Sequence, residues 1–202
     1  MTDPLGTAEL RAAVLAAWAA SATRFREDAN AEDDLVRGGY RDRLVVELAQ
    51  NAADAAVAAG VPGRLLLRIT DDALLAANSG RPLTRAGVAS LASLRASAKE
   101  APESAGSPVG RFGVGFAAVL AVTDEPRVLS ADGGVAFSAT ATRAAVAGIE
   151  QVAAELARRA GHVPVLRLPF ATTDQAQAGY DMVVTERDPA GSAEPVDHPY
   201  SD

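Results

Sequence analysis

The sequence predicts an α+β domain, a two-layer α/β sandwich in which helices cover one face of a mostly antiparallel sheet. Alanine-rich stretches carry leucine and valine at helical spacing, which indicates helices and not low-complexity chain. Short apolar runs bounded by Asp, Gly and Pro recur between them, as is typical of strands. The chain has 202 residues, 49% of them hydrophobic, and no internal repeat, which suffices for one sizeable core.

We expect one domain over residues 1–188. It begins with an amphipathic helix over residues 7–23, whose apolar side chains fall on one side. These side chains are Leu10, Val14, Leu15 and Trp18. Residues 25–36 carry a run of acidic side chains, which we interpret as a solvated surface. Residues 189–202 are polar and contain proline, so we interpret them as a tail, or as a linker if the protein continues into further domains.

A polar stripe marks the helix predicted over residues 44–55. Glu47, Asn51 and Asp54 stand at i, i+4 and i+7, so at about 3.6 residues per turn they share one side. Two carboxylates and a carboxamide in an otherwise apolar helix cost free energy to bury, which points to a functional site. The alternative is an amphipathic helix whose polar side faces solvent. Gly60 lies where a terminating glycine is expected.

Two apolar runs, residues 64–70 and 73–78, flank Asp71-Asp72 and predict a hairpin. The same kinds of signal predict the rest of the chain. In order, these elements are a loop at 78–82, a helix at 84–94 with Thr84 as N-cap, a mobile segment at 95–109, strands at 127–131 and 135–139 joined near 132–134, a helix at 143–159, and strands at 163–170 and 180–185.

A glycine-rich motif, GRFGVGF at residues 110–116, precedes an apolar run at 117–122. Its glycines stand at i, i+3 and i+5, where they let the backbone turn tightly and approach a ligand closely. A helix that begins there directs free N–H groups at an anion. The alternative is a glycine-rich turn before a core helix, because a glycine motif alone is weak evidence. The polar stripe and this motif together, in this order, are far more specific.

Taken together, the two stretches resemble the N box (ExxxNxxDA) and the lid box (GxxGxG) of the Bergerat-fold ATPases, the GHKL group. The group includes gyrase-type topoisomerases, heat-shock chaperones and sensor histidine kinases. The resemblance covers roughly residues 41–124, with weaker similarity up to residue 185. GRFGVGF is similar to the heat-shock-chaperone version, and SLASLRASAK, VLRLPF and GYDMVV are similar to the sacsin-type ATP-binding domain. The resemblance implies the Bergerat fold, with ATP and Mg²⁺ as ligands.

The resemblance also implies a role for each residue of the stripe. Glu47 matches the general base that orients the attacking water. Asn51 matches the residue that holds Mg²⁺ against the phosphates, through the kind of oxygen ligand that Mg²⁺ takes. Asp54 matches a position near adenine, where its role is either contact with the base or a structural hydrogen bond to backbone.

The phosphates are expected beside the lid box, whose glycines would form a cradle and whose other residues would contribute backbone N–H groups. The lid-box residues are Gly110, Arg111, Phe112, Gly113, Val114, Gly115 and Phe116. Lys99, the only lysine in the chain, would contact the γ-phosphate as a compact charge. Chance explains a single lysine equally well.

The sequence departs from the family at the next motif, DxGxG, whose aspartate accepts a hydrogen bond from adenine N6. The matching segment is NSGRP, in which Asn78 replaces the aspartate, Gly80 is kept and Pro82 replaces the second glycine. Asp71 and Asp72 are not alternatives, because no glycine follows them and they stand where a turn is expected. The departure therefore concerns adenine recognition. The ligand is expected between the helix with the polar stripe, the loop after Asn78 and the lid box.

The composition argues against several other classes of function. A net charge of −7 argues against a general nucleic-acid or anionic-membrane surface. The chain lacks cysteine and has two histidines, so we expect neither disulfides nor a thiolate nucleophile nor a histidine-rich metal site. The acidic N-terminus does not fit a secretory signal, and no apolar run is long enough to span a bilayer, which predicts a cytoplasmic protein.

The resemblance thus implies an Mg-ATP-binding domain that hydrolyses ATP slowly, of chaperone or sacsin type. Its ligands would be ATP and ADP, and a client or partner protein would complete its function. One alternative is a degenerate nucleotide-binding or protein-interaction module with weak or no ATPase activity. Another is a histidine-kinase-like phosphotransfer domain, which the intact Glu47 and the lack of a visible phosphoacceptor domain disfavour.

Overall fold

Six strands form one sheet in the computed structural model, which describes residues 3–37, 43–93, 115–173 and, for the backbone, 180–186. The strands are β1 (Leu65–Ile69), β2 (Ala73–Ser79), β3 (Pro126–Ser130), β4 (Gly133–Ala136), β5 (Phe170–Thr172) and β6 (Tyr180–Glu186). Their order across the sheet is β1-β2-β6-β3-β4-β5, and each pair of described neighbours is antiparallel. The prediction of an antiparallel sheet is confirmed.

Helices make up the rest of the described core. They are α1 (Thr7–Ala20), α2 (Ala22–Arg37), α3 (Leu44–Ala59), α4 (Arg85–Leu91), α5 (Ala139–Val146) and α6 (Glu150–Arg158), with 3₁₀-helices at Phe116–Ala121 and Val165–Arg167. Large apolar side chains from several of these elements are completely buried, Trp18, Phe25 and Leu166 among them. The predicted α+β class is confirmed.

The hairpin of β1 and β2 forms where the sequence predicts it. Thr70 and Ala73 bracket the turn, and the Thr70 N–H donates to the Ala73 carbonyl oxygen at 2.8 Å. The Thr70 hydroxyl donates to Asp72 Oδ1 at 2.8 Å and so stabilises the turn. Asn78, predicted to open a loop, lies within β2 and pairs with Leu65 across the hairpin. Its side chain is therefore held by a strand.

Helix α3 also follows the prediction. Its apolar side is buried, and its C-terminal glycine, Gly60, adopts the left-handed conformation with φ 65°. The helix packs against β2 and against the 3₁₀-helix at Phe116–Ala121. The run at 117–122 was expected to form a core helix after the glycine motif. Its first three residues are buried, and the element is a 3₁₀-helix that ends at Ala121, before the half-exposed Val122.

The interpretation of residues 25–36 as a solvated surface holds for Glu27 and Asp34, which are exposed, and is wrong for Asp28 and Glu32. Within α2 the Phe25, Asp28 and Glu32 side chains are buried. Asp28 Oδ2 accepts a hydrogen bond from the Trp18 indole N–H at 2.9 Å, and Glu32 accepts two from the backbone of residues 165 and 166. Hydrogen-bond donors distant in the sequence offset the free-energy cost of burying these two carboxyl groups. The local charge pattern therefore could not reveal that they are buried.

Two further predictions are corrected. The helix expected at 143–159 is two helices, because α5 ends at Val146 and α6 begins at Glu150. The strand expected at 163–170 is a 3₁₀-helix followed by the short β5. The Glu32 carboxylate accepts hydrogen bonds from the N–H groups of Val165 and Leu166. These N–H groups are therefore unavailable for hydrogen bonds to a neighbouring strand.

The predictions for residues 94–109, the lid box up to residue 114, and 189–202 lie outside the described residues. Among the described helices, none has the length and apolar character needed to cross a membrane.

Candidate functional site

A cavity of about 350 Å³ opens between α3, the end of β2 and α4. Asn51 and Asp54 line it from α3, Asn78 from β2, and Phe116 from the 3₁₀-helix. Its size is in the range of small-molecule sites. Three predicted site residues from one helix and one strand therefore share a cavity with one residue of the lid box.

Most of the cavity wall is apolar. The apolar lining residues are Ala55, Ala58, Ala86, Pro82, Leu83, Leu91, Phe116 and Val128. A few polar groups interrupt this wall, which is the usual composition of a small-molecule site. Sequence reasoning did not single out the α4 residues or Val128, because nothing in their local patterns differs from that of ordinary core positions.

The loop between β2 and α4 forms one side of the cavity and is fastened to α3. The Arg81 N–H donates to the Ala55 carbonyl oxygen at 2.9 Å, and the Arg81 guanidinium donates to the Ala58 carbonyl oxygen at 2.9 Å. Gly80 has φ 146°, and a Cβ there would lie 2.5 Å from the Ala55 carbonyl carbon. Gly80 therefore shapes the cavity by allowing the loop to touch the helix, and it is not among the lining residues.

The other end of this loop is fastened to the sheet. The Leu83 N–H donates to the Oγ of the completely buried Ser130 at 3.0 Å. Thr84 then caps α4, because its side chain accepts a hydrogen bond from the Gly87 N–H at 3.1 Å. The cap was predicted from the sequence, whereas the Ser130 contact joins positions too far apart in the chain to be predicted.

Asp54 is the most unusual polar group of the cavity. Its side chain is buried, with 9% of the residue exposed, and its Oδ2 atom has no hydrogen-bond partner among the described residues. Asn78 is half-buried, and its amide nitrogen donates to the Ser79 carbonyl oxygen at 3.4 Å. The cavity wall thus includes a carboxyl oxygen without a donor and a carboxamide.

Glu47 lies one helical turn before Asn51 and outside the cavity lining. Its carboxylate pairs with the Arg43 guanidinium at 3.5 Å. Gly115 approaches it so closely that a Cβ there would overlap Glu47 Oε2. The last glycine of the lid box therefore lies directly against the predicted general base.

The predicted site residues thus fall into three sets. The first set, Asn51, Asp54, Asn78 and Phe116, lines the cavity. The second set, Glu47, Gly80 and Gly115, lies outside the lining: Gly80 approaches the lining residue Ala55, and Gly115 approaches Glu47. The third set, Lys99, Gly110, Arg111, Phe112, Gly113 and Val114, lies outside the described residues.

The described part of the chain holds no group of three or more His, Cys, Asp or Glu side chains suited to a metal ion. A cation bound beside Asn51 would have the Asn51 carboxamide oxygen as a ligand from the cavity wall. Such a sparse protein ligand set suits Mg²⁺ that arrives with a phosphate ligand and keeps several waters.

Comparison with known proteins assigns no family to the chain. Neither a protein-family model nor a curated protein sequence matches it. The cavity, its polar groups and the motifs of the sequence are therefore the features that indicate a function.

Proposed function

We propose that this cavity binds Mg-ATP and that the chain is a slowly hydrolysing, chaperone-like ATP-binding domain of the Bergerat type. The single observation that carries the proposal is the meeting of Asn51, Asp54 and Asn78 around one mostly apolar cavity. These residues come from the two motifs in which the sequence resembles, and departs from, the GHKL group. An antiparallel sheet that packs against α3 is compatible with a two-layer sandwich.

The direction of α3 suggests how the nucleotide lies. Asp54 and Asn78 are at one end of the site, and Glu47 and Gly115 are at the other, with Asn51 between them. We therefore place the base beside Asp54 and Asn78, in the apolar part of the cavity. The phosphates then extend towards the N-terminal half of α3, where the glycine of the lid box approaches Glu47.

Asn51 would hold Mg²⁺ through its carboxamide oxygen, together with phosphate oxygens and water. Bound Mg²⁺ neutralises charge on the phosphates and supports phosphoryl transfer. Glu47 would orient the attacking water and accept its proton. The Arg43 ion pair holds the Glu47 carboxylate at the N-terminal turn of α3, on the side that Gly115 faces.

A second candidate function is nucleotide binding without turnover. Glu47 does not line the cavity, and both Arg43 and the Gly115 backbone crowd its carboxylate. A base so enclosed has little room for a water. Asn78 in place of an aspartate also favours weak, regulatory binding.

The two candidates are separated by measuring Mg-ATP affinity calorimetrically and phosphate release enzymatically on the whole chain. The variant Glu47→Gln should lower phosphate release by about 10²–10⁴-fold while affinity stays within a few-fold, because a positioned base acts mainly on the chemical step. Glu27→Gln is the matched control, since Glu27 is exposed on α2. Equal turnover in Glu47→Gln and the parent would contradict the role of Glu47 as the base. Nucleotide binding without phosphate release by the parent would favour the second candidate.

Asn51→Ala tests the metal end of the site. We expect loss of Mg²⁺-dependent nucleotide binding, because the cation loses its carboxamide ligand. Asn30→Ala, on the exposed part of α2, is the control. A folded Asn51→Ala protein with unchanged Mg-ATP affinity would refute the metal role, and a nucleotide-free thermal melt establishes that the variant is folded.

A further inference from the structure

We propose that two copies of this chain associate through β1, an edge strand of the sheet, which pairs antiparallel with β1 of the second copy about a two-fold axis at Leu67. Among the described residues that line the cavity, none belongs to β1. Association through this edge is therefore independent of whether the cavity binds a nucleotide.

Exposed apolar side chains are concentrated in one part of the chain. Among the described residues, eight large apolar side chains are exposed, and seven of them lie between residues 45 and 69. Within β1 itself, Leu66 is 65% exposed, Leu67 38% and Ile69 82%. Such a concentration of exposed apolar groups is typical of an interaction surface.

The outer side of β1 carries unpaired backbone groups. Among the described residues, the strand pairs with β2 alone. The Thr70 N–H donates to the Ala73 carbonyl oxygen, and the Ser79 N–H donates to the Arg64 carbonyl oxygen. Because the bonding direction alternates along an antiparallel strand, the even-numbered residues of β1 direct their N–H and C=O groups at β2, and the odd-numbered residues direct theirs outward.

The residues with outward backbone groups are Leu65, Leu67 and Ile69. All three are aliphatic, and none is the charged residue or proline that natural proteins often place on an edge strand to prevent pairing. Their side chains lie on the face of the sheet on which Ala76 is buried, because Leu67 is the cross-strand partner of Ala76. This edge is therefore suited to the addition of a further strand.

Pairing centred on Leu67 uses all the outward groups. Leu67 then stands opposite Leu67 of the second copy, and Leu65 stands opposite Ile69. Each of these pairs can exchange two backbone hydrogen bonds. The exposed parts of the Leu67 and Ile69 side chains become covered by aliphatic side chains of the second copy.

The arginines of the strand disfavour the nearest other registers that keep two-fold symmetry. A shift by two residues in one direction puts Arg68 opposite Arg68 of the second copy, and a shift in the other direction puts Arg64 opposite Arg68. Like charges directly opposite each other destabilise a strand pair. In the register centred on Leu67, Arg68 stands opposite Leu66, and the two Arg68 side chains are diagonal neighbours at the closest.

The charges at the two ends of β1 favour a second copy over a different extended chain. Arg64 precedes the strand and Asp71-Asp72 follow it, and all three side chains are exposed. In the antiparallel pair, Arg64 stands opposite Thr70 of the second copy and beside its Asp71-Asp72 turn, and the same contact recurs at the other end. A uniformly acidic peptide would meet the aspartates and a uniformly basic one the arginines, whereas the reversed copy matches both ends.

The test is sedimentation velocity on the whole chain without nucleotide, at about 1–500 µM protein. Five paired residues form an interface at the small end of specific contacts, so we expect a reversible dimer with a Kd of about 10–100 µM. Leu67→Lys puts two ammonium groups opposite each other at the axis and should raise the Kd about tenfold or more. Val122→Lys is the matched control, an equally apolar-to-cationic change at an exposed residue outside β1, and should keep the Kd within about twofold.

Exchange of charges tests the antiparallel arrangement. At about 50 mM salt, where exposed charges are weakly screened, Arg64→Asp and Asp71→Arg should each weaken self-association about threefold or more. An equimolar mixture of the two variants should associate more tightly than either alone, because opposite charges then meet at both ends. A mixture that associates no better than its components would overturn the antiparallel arrangement.

The parent chain decides the proposal even if a variant fails to fold. A whole chain that stays monomeric up to about 500 µM would overturn association through β1. A dimer with an unchanged Kd in Leu67→Lys, folded by circular dichroism, would place the interface elsewhere and overturn it as well. Dimerisation of residues 1–188 but not of the whole chain would show that the tail covers the edge, which also contradicts the proposal.

Discussion

At the scale of single residues, Glu32 shows how strongly the fold alters a side chain. It is 1% exposed, and its carboxylate accepts hydrogen bonds from the Val165 and Leu166 N–H groups at 2.6 and 2.9 Å. Burial raises the pKa of Glu32 from 4.5 to about 7, although the two backbone N–H groups act in the opposite direction. The folded state thus binds a proton that the unfolded chain releases at lower pH.

This shift predicts the pH dependence of stability. Because the folded pKa is raised, the contribution of Glu32 is fully present below about pH 4.5 and is lost as pH rises through about 7. The lost part is about 3 kcal/mol, from about 1.4 kcal/mol per pKa unit. Urea unfolding followed by the fluorescence of Trp18 at pH 5, 6, 7 and 8 measures it.

Glu32→Gln is the comparison for that measurement, because an amide does not titrate. The difference in unfolding free energy between the two proteins should change with pH, while contributions from other groups cancel. Parallel pH profiles for the parent and Glu32→Gln would show that Glu32 stays ionised throughout and would contradict the predicted shift.

Gly80 supports a second prediction at this scale. Its φ of 146° and the 2.5 Å approach to the Ala55 carbonyl carbon leave no room for a Cβ. We expect Gly80→Ala to lower the free energy of unfolding by about 1–3 kcal/mol and to weaken ligand binding in the cavity. Gly148→Ala is the control, since a Cβ at Gly148 meets nothing within 4 Å. Equal denaturation midpoints for the two variants would show that the loop does not need this contact.

At the scale of elements, the local signals predict where helices begin and end better than they predict breaks within them. Thr84 at the start of α4 and Gly60 at the end of α3 behave as capping principles require. The break between α5 and α6 was not predicted, because alanine-rich chain on both sides favours a helix throughout.

The Thr84 cap yields a prediction for α4. Removing its hydroxyl in Thr84→Ala should cost about 1 kcal/mol, because one of the first N–H groups of the helix loses its acceptor. Thr84→Ser keeps the hydroxyl and should stay close to the parent. Chemical denaturation of both variants measures the difference. Since α4 lines the cavity, ligand affinity should fall with the cap, and indistinguishable stability of the Ala and Ser variants would count against this role.

At the scale of the whole molecule, the sheet depends on a strand from late in the chain. β6 lies between β2 and β3, pairing with β2 from Ala73↔Glu186 to Ser79↔Tyr180 and with β3 from Pro126↔Thr185 to Leu129↔Met182. Without it, the β1–β2 hairpin has no connection through the sheet to β3, β4 and β5. The hairpin carries Asn78, so the cavity depends on β6 as well.

Truncation tests this dependence and the predicted domain boundary together. A chain of residues 1–188 should keep the cooperative unfolding transition of the whole chain, whereas a chain of residues 1–173 should lose it, because the backbone hydrogen bonds of β6 are missing. Circular dichroism and Trp18 fluorescence during urea unfolding measure both. A cooperative transition with an unchanged midpoint in the shorter chain would contradict the central role of β6.

Much of the architecture could be predicted from the sequence, because its causes lie within a few residues. The β1–β2 hairpin, its Asp71-Asp72 turn and the Thr84 cap depend on neighbours in the chain, and the structure contains all three. For the site, the spacing of Asn51 and Asp54 on one helix predicted that they face the same space. The nucleotide roles of these residues stay predictions.

The features that only the tertiary structure determined depend on contacts between residues far apart in the chain. Glu32 and its N–H donor at Val165 are separated by 133 residues, and this pairing accounts both for the buried carboxylate of Glu32 and for the loss of a predicted strand. The position of β6 and the orphaned Asp54 oxygen are of the same kind. Sequence patterns report the preferences of neighbouring residues, whereas burial and hydrogen-bond satisfaction depend on which distant groups the folded chain brings together.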